Sequence, residues 1–113
     1  MITIWHNPRC SKSRQAVALL EEKGVEIDIF KYLQEPLTAA MLSSLLSKLG
    51  ISARELMRTK ETLYAELALE TADDAQLIAA MVAHPRLIER PIIIKENRAV
   101  IGRPLEKVND LLA

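Results

Sequence analysis

The sequence predicts an α/β fold, a mixed four-stranded sheet flanked by helices, with a helical insertion between a β-α-β half and a β-β-α half. Three observations carry that prediction. Short apolar runs rich in β-branched residues fall at 2–5, 25–30, 91–94 and 99–101, which is strand composition. Between the second and third runs lies a long stretch whose leucines repeat at helical spacing. The first run passes through a polar turn into a helix, and that turn holds the chain's one cysteine, Cys10.

Each element follows from its residues. Ile2 to Trp5 are β-branched or aromatic and read as a buried strand, which Asn7-Pro8 breaks. Ser11 to Lys23 carries Ala16, Val17, Leu19 and Leu20 on one helical face until Gly24 stops it. Val25 to Phe30 largely alternates apolar and acidic residues, a strand with one wetter face. A strand, a helix and a strand in about thirty residues form a βαβ unit, which makes the two strands parallel and puts the loop after the first at the carboxyl edge of the sheet.

Thr38 can cap a helix with Leu42, Leu45, Leu46 and Leu49 inward, ended by Gly50. Ser52-Ala53-Arg54-Glu55 has the spacing of a capping box and opens a short helix through Met57. Tyr64 to Leu69 reads as helical or irregular. Thr71-Ala72-Asp73-Asp74 opens a helix with Leu77, Ile78, Met81 and Val82 on one side, which His84-Pro85 stops. Pro91 to Ile94 and Ala99 to Ile101, separated by Lys95-Glu96-Asn97-Arg98, read as an antiparallel hairpin. Pro104 suits a first helical position, and Leu105, Val108, Leu111 and Leu112 form the inner face of a last helix.

The 113 residues fit one domain with a single core. Charge is balanced at 15 Lys+Arg against 15 Asp+Glu, so no global field draws the chain to nucleic acid or anionic lipid. No apolar stretch approaches the roughly 20 residues that span a bilayer, and no charged leader precedes an apolar run. One cysteine cannot form an internal disulfide, which fits a reducing compartment, and the expected location is the cytoplasm. One cysteine and two distant histidines supply too few ligands for a metal site. Met41 and Met81 read as core filler.

Cys10 carries the chemistry. A helix N-terminus leaves backbone N–H groups unpaired and concentrates the positive end of the macrodipole, so a thiolate gains over the thiol. Arg9, Lys12, Arg14 and His6 add cations nearby in sequence, and the same N–H groups form an oxyanion cradle. A lone cysteine is often only a small buried hydrophobe, but Arg9, Ser11, Lys12 and Ser13 are company that a core position would not choose. His6, at a strand end, suits a structural hydrogen-bond role as well as a chemical one.

This order of elements, with a cysteine at the first helix N-terminus, resembles the thioredoxin-like fold. The motifs His6-Asn7-Pro8-Arg9-Cys10-Ser11-Lys12-Ser13-Arg14, Arg90-Pro91-Ile92 and Gly102-Arg103-Pro104 are together similar to those of the glutaredoxin-coupled arsenate reductase family. The similarity runs along essentially the whole chain, including Gly50-Ile51-Ser52 and Leu56-Met57-Arg58. It implies that Cys10 attacks arsenate or a similar oxyanion and that Arg58, Arg90 and Arg103 line the anion site. It also implies a cis peptide at Arg90-Pro91, with Pro91 facing the cysteine loop. Singly, Arg58 could be a solvated cation at a helix end and Arg103 a cover for the sheet edge. As a set, planar donors suit a tetrahedral oxyanion.

Supporting roles fall to Ser11, Lys12 and Arg14, which would tune the thiolate, to Asn7, which would hold the loop, and to His6, Ser13 and Pro91. Reducing arsenate takes two electrons, and Cys10 has no partner thiol in the chain. The resemblance supplies glutathione and then glutaredoxin, with no bound cofactor, and the open sheet edge should leave Cys10 within reach of a tripeptide. The expected form is a monomer. Two rivals share the general look. An RNA polymerase-binding regulator of the Spx type commonly uses a Cys-x-x-Cys switch, whereas Ser13 stands at the second position here. A monothiol glutaredoxin-like protein has no oxyanion for three arginines to clamp.

Overall fold

Ile2–Trp5 (β1) and Ile27–Phe30 (β2) pair in parallel, with Trp5 opposite Phe30. The computed structural model of the protein describes residues 1–112. On the other side of β1 lies Ile92–Lys95 (β3), antiparallel, which pairs in turn with Arg98–Ile101 (β4), giving the order β2-β1-β3-β4. Trp5 faces Ile92 across one ladder, and Ile92 faces Ile101 across the next. The chain therefore leaves β1, β2 and β4 and enters β3 along one edge of the sheet.

The strands begin later than their composition suggests. Val25 is held by the end of the first helix: Gly24 is left-handed at φ 71°, and the Val25 amide donates to Leu20 O at 3.4 Å. Pro91 has no N–H to give a ladder, so β3 starts at Ile92. The hairpin turn is only Glu96-Asn97, with Lys95 and Arg98 paired as the last rungs.

The contacts divide the chain into two compact units. One comprises Met1–Glu35 and the chain from Arg90 onward. In it, helix α1 (Ser11–Glu22) and the last helix, Lys107–Leu112, cover the sheet, and Ile2, Ile4, Ala16, Leu20, Ile93, Val108 and Leu111 form a buried cluster. Trp5 packs edge-on to Phe30 at 5.2 Å and stacks with Tyr32 at 6.1 Å. Such aromatic pairs add about 0.5–1.5 kcal/mol each beyond their burial. The last helix starts at Lys107 and not at Pro104. The amides of Lys107, Val108 and Asn109 bond three residues back, to Pro104, Leu105 and Glu106, which winds a tight turn ahead of the helix.

The other unit is Pro36–Glu89, built of helices. Thr38 caps α2 (Ala39–Leu49) by accepting from the Met41 amide at 3.2 Å, and Gly50 ends it at φ 67°. Ser52 and Glu55 form the expected capping box of α3 (Ala53–Leu56). The uncertain stretch resolves into α4 (Thr62–Glu66) and a 3-10 turn at Leu69–Thr71. Helix α5 (Asp74–Ala83) is capped by Asp73 with Gln76, while Thr71 belongs to the preceding turn, and α5 packs against α2 and α3. The last helix of the other unit is numbered α6. Arg54, unremarked in the sequence, ties this unit together: its guanidinium donates to Tyr64 Oη, to Leu69 O at 3.1 Å and to Ala72 O at 2.9 Å. Met81 is fully buried among the leucines, and Met41 partly so.

Candidate active site

Cys10 is the N-cap residue of α1, with extended backbone at φ −91°, ψ 122°. The loop that delivers it is folded by its own residues. Asn7 O accepts from the Cys10 amide at 3.0 Å, Asn7 Oδ1 accepts from the Arg9 amide at 3.1 Å, and Arg14 Nη1 donates to Pro8 O at 2.9 Å. Asn7 thus closes the turn that carries Cys10 with both its backbone and its side-chain oxygen. Arg14 also serves the loop, through Pro8 and not through the thiol.

Ser13 locks the loop from beneath. It is fully buried, its Oγ accepts from the Asn7 amide at 3.0 Å, and it lies 2.7 Å from His6 Nδ1. Burial first, then the charges of Lys31 and Arg14, hold the His6 ring below its ordinary pKa. The Ser13 hydroxyl and His6 Nδ1 form one buried hydrogen bond, whose direction follows the ring tautomer. His6 therefore has a structural partner in Ser13.

Cys10 is 8% exposed, less open than the sheet edge suggested, and the Arg103 guanidinium lies against its sulfur. Arg103 Nη2 donates to Cys10 Sγ at 3.7 Å, and Arg103 Nε donates to Arg90 O at 2.6 Å. Burial pushes the thiol up, but the Ser13 amide, the Arg90 charge, the Lys12 amide and a side-chain hydrogen bond from Arg90 outweigh it, leaving the pKa below the ordinary value. The charge that matters comes from across the fold, from Arg90: Lys12 acts through its backbone, and Arg9, Ser11, Arg14 and Arg103 are not among the causes. Arg90 Nε is buried without a hydrogen-bond partner. A buried, charged donor left open in this way fits an anion.

The Arg90-Pro91 peptide is cis, as the resemblance implied, and so is Arg103-Pro104. Pro91 is buried, and Gly102 supports it closely: the Gly102 amide donates to Pro91 O at 2.8 Å, and a Cβ there would sit 3.0 Å from Pro91 Cγ. Arg90 and Arg103 are therefore gathered at Cys10. Arg58 lies in the helical unit. There its amide donates to Leu87 O at 2.7 Å, and its guanidinium meets Glu61 at 3.3 Å and Glu89 at 4.0 Å. Among the described residues, no three of His, Cys, Asp and Glu gather in a group that could hold a metal ion. No described helix is long and apolar enough to cross a membrane.

Residues 5–111 match the model of the ArsC family. An arsenate reductase of Neisseria meningitidis serogroup A is 46% identical, covering 98% of this chain and 97% of its own. The protein YfgD of Escherichia coli is 51% identical over 98% of this chain and 96% of its own. The structure of an arsenate reductase from Vibrio cholerae superposes with a TM-score of 0.93 at 45% identity, covering 96% of this chain and 95% of that one.

Proposed function

The chain belongs to the ArsC family, has its thioredoxin-like fold, and from that premise we propose that it is an arsenate reductase that takes its electrons from glutathione and glutaredoxin. One observation carries the reading: an activated thiol at a helix N-terminus faces Arg103 and Arg90, the latter with a buried nitrogen lacking a partner. A nucleophile and an anion clamp thus share one place, as attack on an oxyanion requires.

The Cys10 thiolate bonds to arsenic(V), and one arsenate oxygen leaves as water after protonation. Arg90 and Arg103 hold the remaining oxygens and the developing charge, while the Lys12 and Ser13 amides face the Cys10 sulfur. A glutathione thiolate then bonds to Cys10 Sγ. The sulfur-arsenic bonding pair departs with arsenic, which is released as arsenite, so the two electrons gained by arsenic are those lost by two sulfurs on becoming a disulfide. A glutaredoxin thiol clears the mixed disulfide and restores Cys10. Arg58 enters by the resemblance alone, as a further cation for arsenate. The setting this chemistry calls for is a cytoplasm in which glutathione keeps thiols reduced.

Turnover of purified protein with arsenate, with and without glutathione and glutaredoxin, tests the reading. Arsenite should accumulate catalytically only with the thiols present, and intact mass should show glutathione on Cys10 when glutaredoxin is withheld. Arg90→Lys should lose most turnover, because a point charge does not replace a bidentate fork. Multiple turnovers without added thiol, or glutathione-supported turnover by Cys10→Ser, would refute the route.

A further inference from the structure

A recess opens beside the cysteine loop, with neither Arg90 nor Arg103 in its walls. Its volume is about 280 Å³, and His6, Asn7, Arg9, Lys31, Leu33 and Gln34 contribute to its walls. Strand order fixes its side. Lys31 to Gln34 follow β2, next to β1, whereas Arg90 precedes β3 and Arg103 follows β4. The Cys10 loop therefore has the arginines on its β3/β4 side and this recess on its β2 side.

The recess suits a carboxylate. Arg9 and Lys31 are exposed, and neither is among the ion pairs of the described residues. The nearby acid, Glu35, is turned to the backbone, its Oε2 accepting from the Lys31 amide at 2.8 Å. Gln34 offers an amide, and Leu33, 41% exposed, offers an apolar wall. Asn7 and Cys10 are the ends of one hydrogen-bonded turn, so their Cα atoms lie within about 7 Å. An extended tripeptide reaches about 10 Å, enough to join the thiol to this recess, which has room for one arm of it.

We propose that the recess between the Asn7–Arg9 loop and the Lys31–Gln34 loop binds a carboxylate-bearing arm of the thiol co-substrate, so that oxyanion and thiol approach Cys10 from opposite sides of its loop. This rests on the reading that glutathione supplies the second thiol. Lys31 is its specificity-determining residue, attracting carboxylate-bearing thiols over neutral ones.

The test varies glutathione at saturating arsenate and glutaredoxin in wild type, Lys31→Glu and Lys31→Arg. Reversing one exposed charge should raise the KM for glutathione about fivefold, with kcat and the KM for arsenate held, and Lys31→Arg should restore it. Replacing glutathione by 2-mercaptoethanol, a thiol without a carboxylate, should erase the difference between variants. S-methylglutathione, which cannot react, should shift the amide resonances of Leu33 and Gln34 in wild type and not in Lys31→Glu. An unchanged glutathione KM in Lys31→Glu, or a change confined to the KM for glutaredoxin, overturns the recess alone. A wild type that gains no turnover from glutathione overturns both this site and the electron route.

Discussion

Removing the Ser13 hydroxyl should cost more than any other single oxygen in the loop. Ser13→Ala leaves two groups without partners, the Asn7 amide, now 3.0 Å from Oγ, and His6 Nδ1, now 2.7 Å from it. A buried polar group stripped of its partner costs about 1–3 kcal/mol. Asn7 is only partly buried and recovers some of that from water, so the pair should cost about 2–3 kcal/mol. In a domain of this size that lowers Tm by roughly 10 °C. Thermal unfolding followed by circular dichroism reads it, with the exposed Ser11→Ala as control, expected within about 0.5 kcal/mol of wild type. A Ser13→Ala protein that melts with wild type would refute the claim that this hydroxyl locks the loop.

Three further outcomes follow from the geometry. Cys10 should titrate below an ordinary thiol of about 8.5; because its folded pKa is depressed, its contribution to stability is fully present above the unfolded value and fades as pH falls through the folded one, so the advantage over Cys10→Ser, read by denaturant unfolding, should grow with rising pH. Gly102→Ala should destabilise by about 1–3 kcal/mol and lower turnover, as its Cβ would meet Pro91 Cγ at 3.0 Å and Ile93 Cδ1 at 3.1 Å between the two arginines; urea unfolding and initial rates check both. Arg54→Ala should cost at least about 2 kcal/mol and raise hydrogen exchange in 62–72 before it does so in the sheet, because three acceptors lose their donor.

The sheet and its hairpin were legible because each strand is a short apolar run bounded by Gly, Pro or a polar turn, and local chemistry decides such boundaries. The caps at Thr38 and Ser52 were legible for the same reason. What escaped was decided at a distance. Ser13 looked like an absent second cysteine, and only the fold puts its hydroxyl between Asn7 and His6. The helix-start amides of Lys12 and Ser13 that lower the Cys10 pKa were legible, whereas the charge that joins them is not a sequence neighbour's but Arg90's, brought beside it by the pairing of β3 with β1. The acceptors of Arg54 lie 10 to 18 residues away in irregular chain with no periodicity to read. The start of α6 was misplaced because proline at a first helical position and proline in a tight turn look alike in sequence, and here i→i+3 bonds chose the turn.

The thiol and the guanidinium that touches it stand 93 positions apart, which gives the site a history on the ribosome. Cys10 is translated well before Arg90 and Arg103. Until both arginines are made the nascent thiol lacks the Arg90 charge and the Arg103 contact, and closing so long a loop is the step that supplies them. A polypeptide that stops before Arg90 has the Lys12 and Ser13 amides beside Cys10 but lacks the guanidinium charge of Arg90.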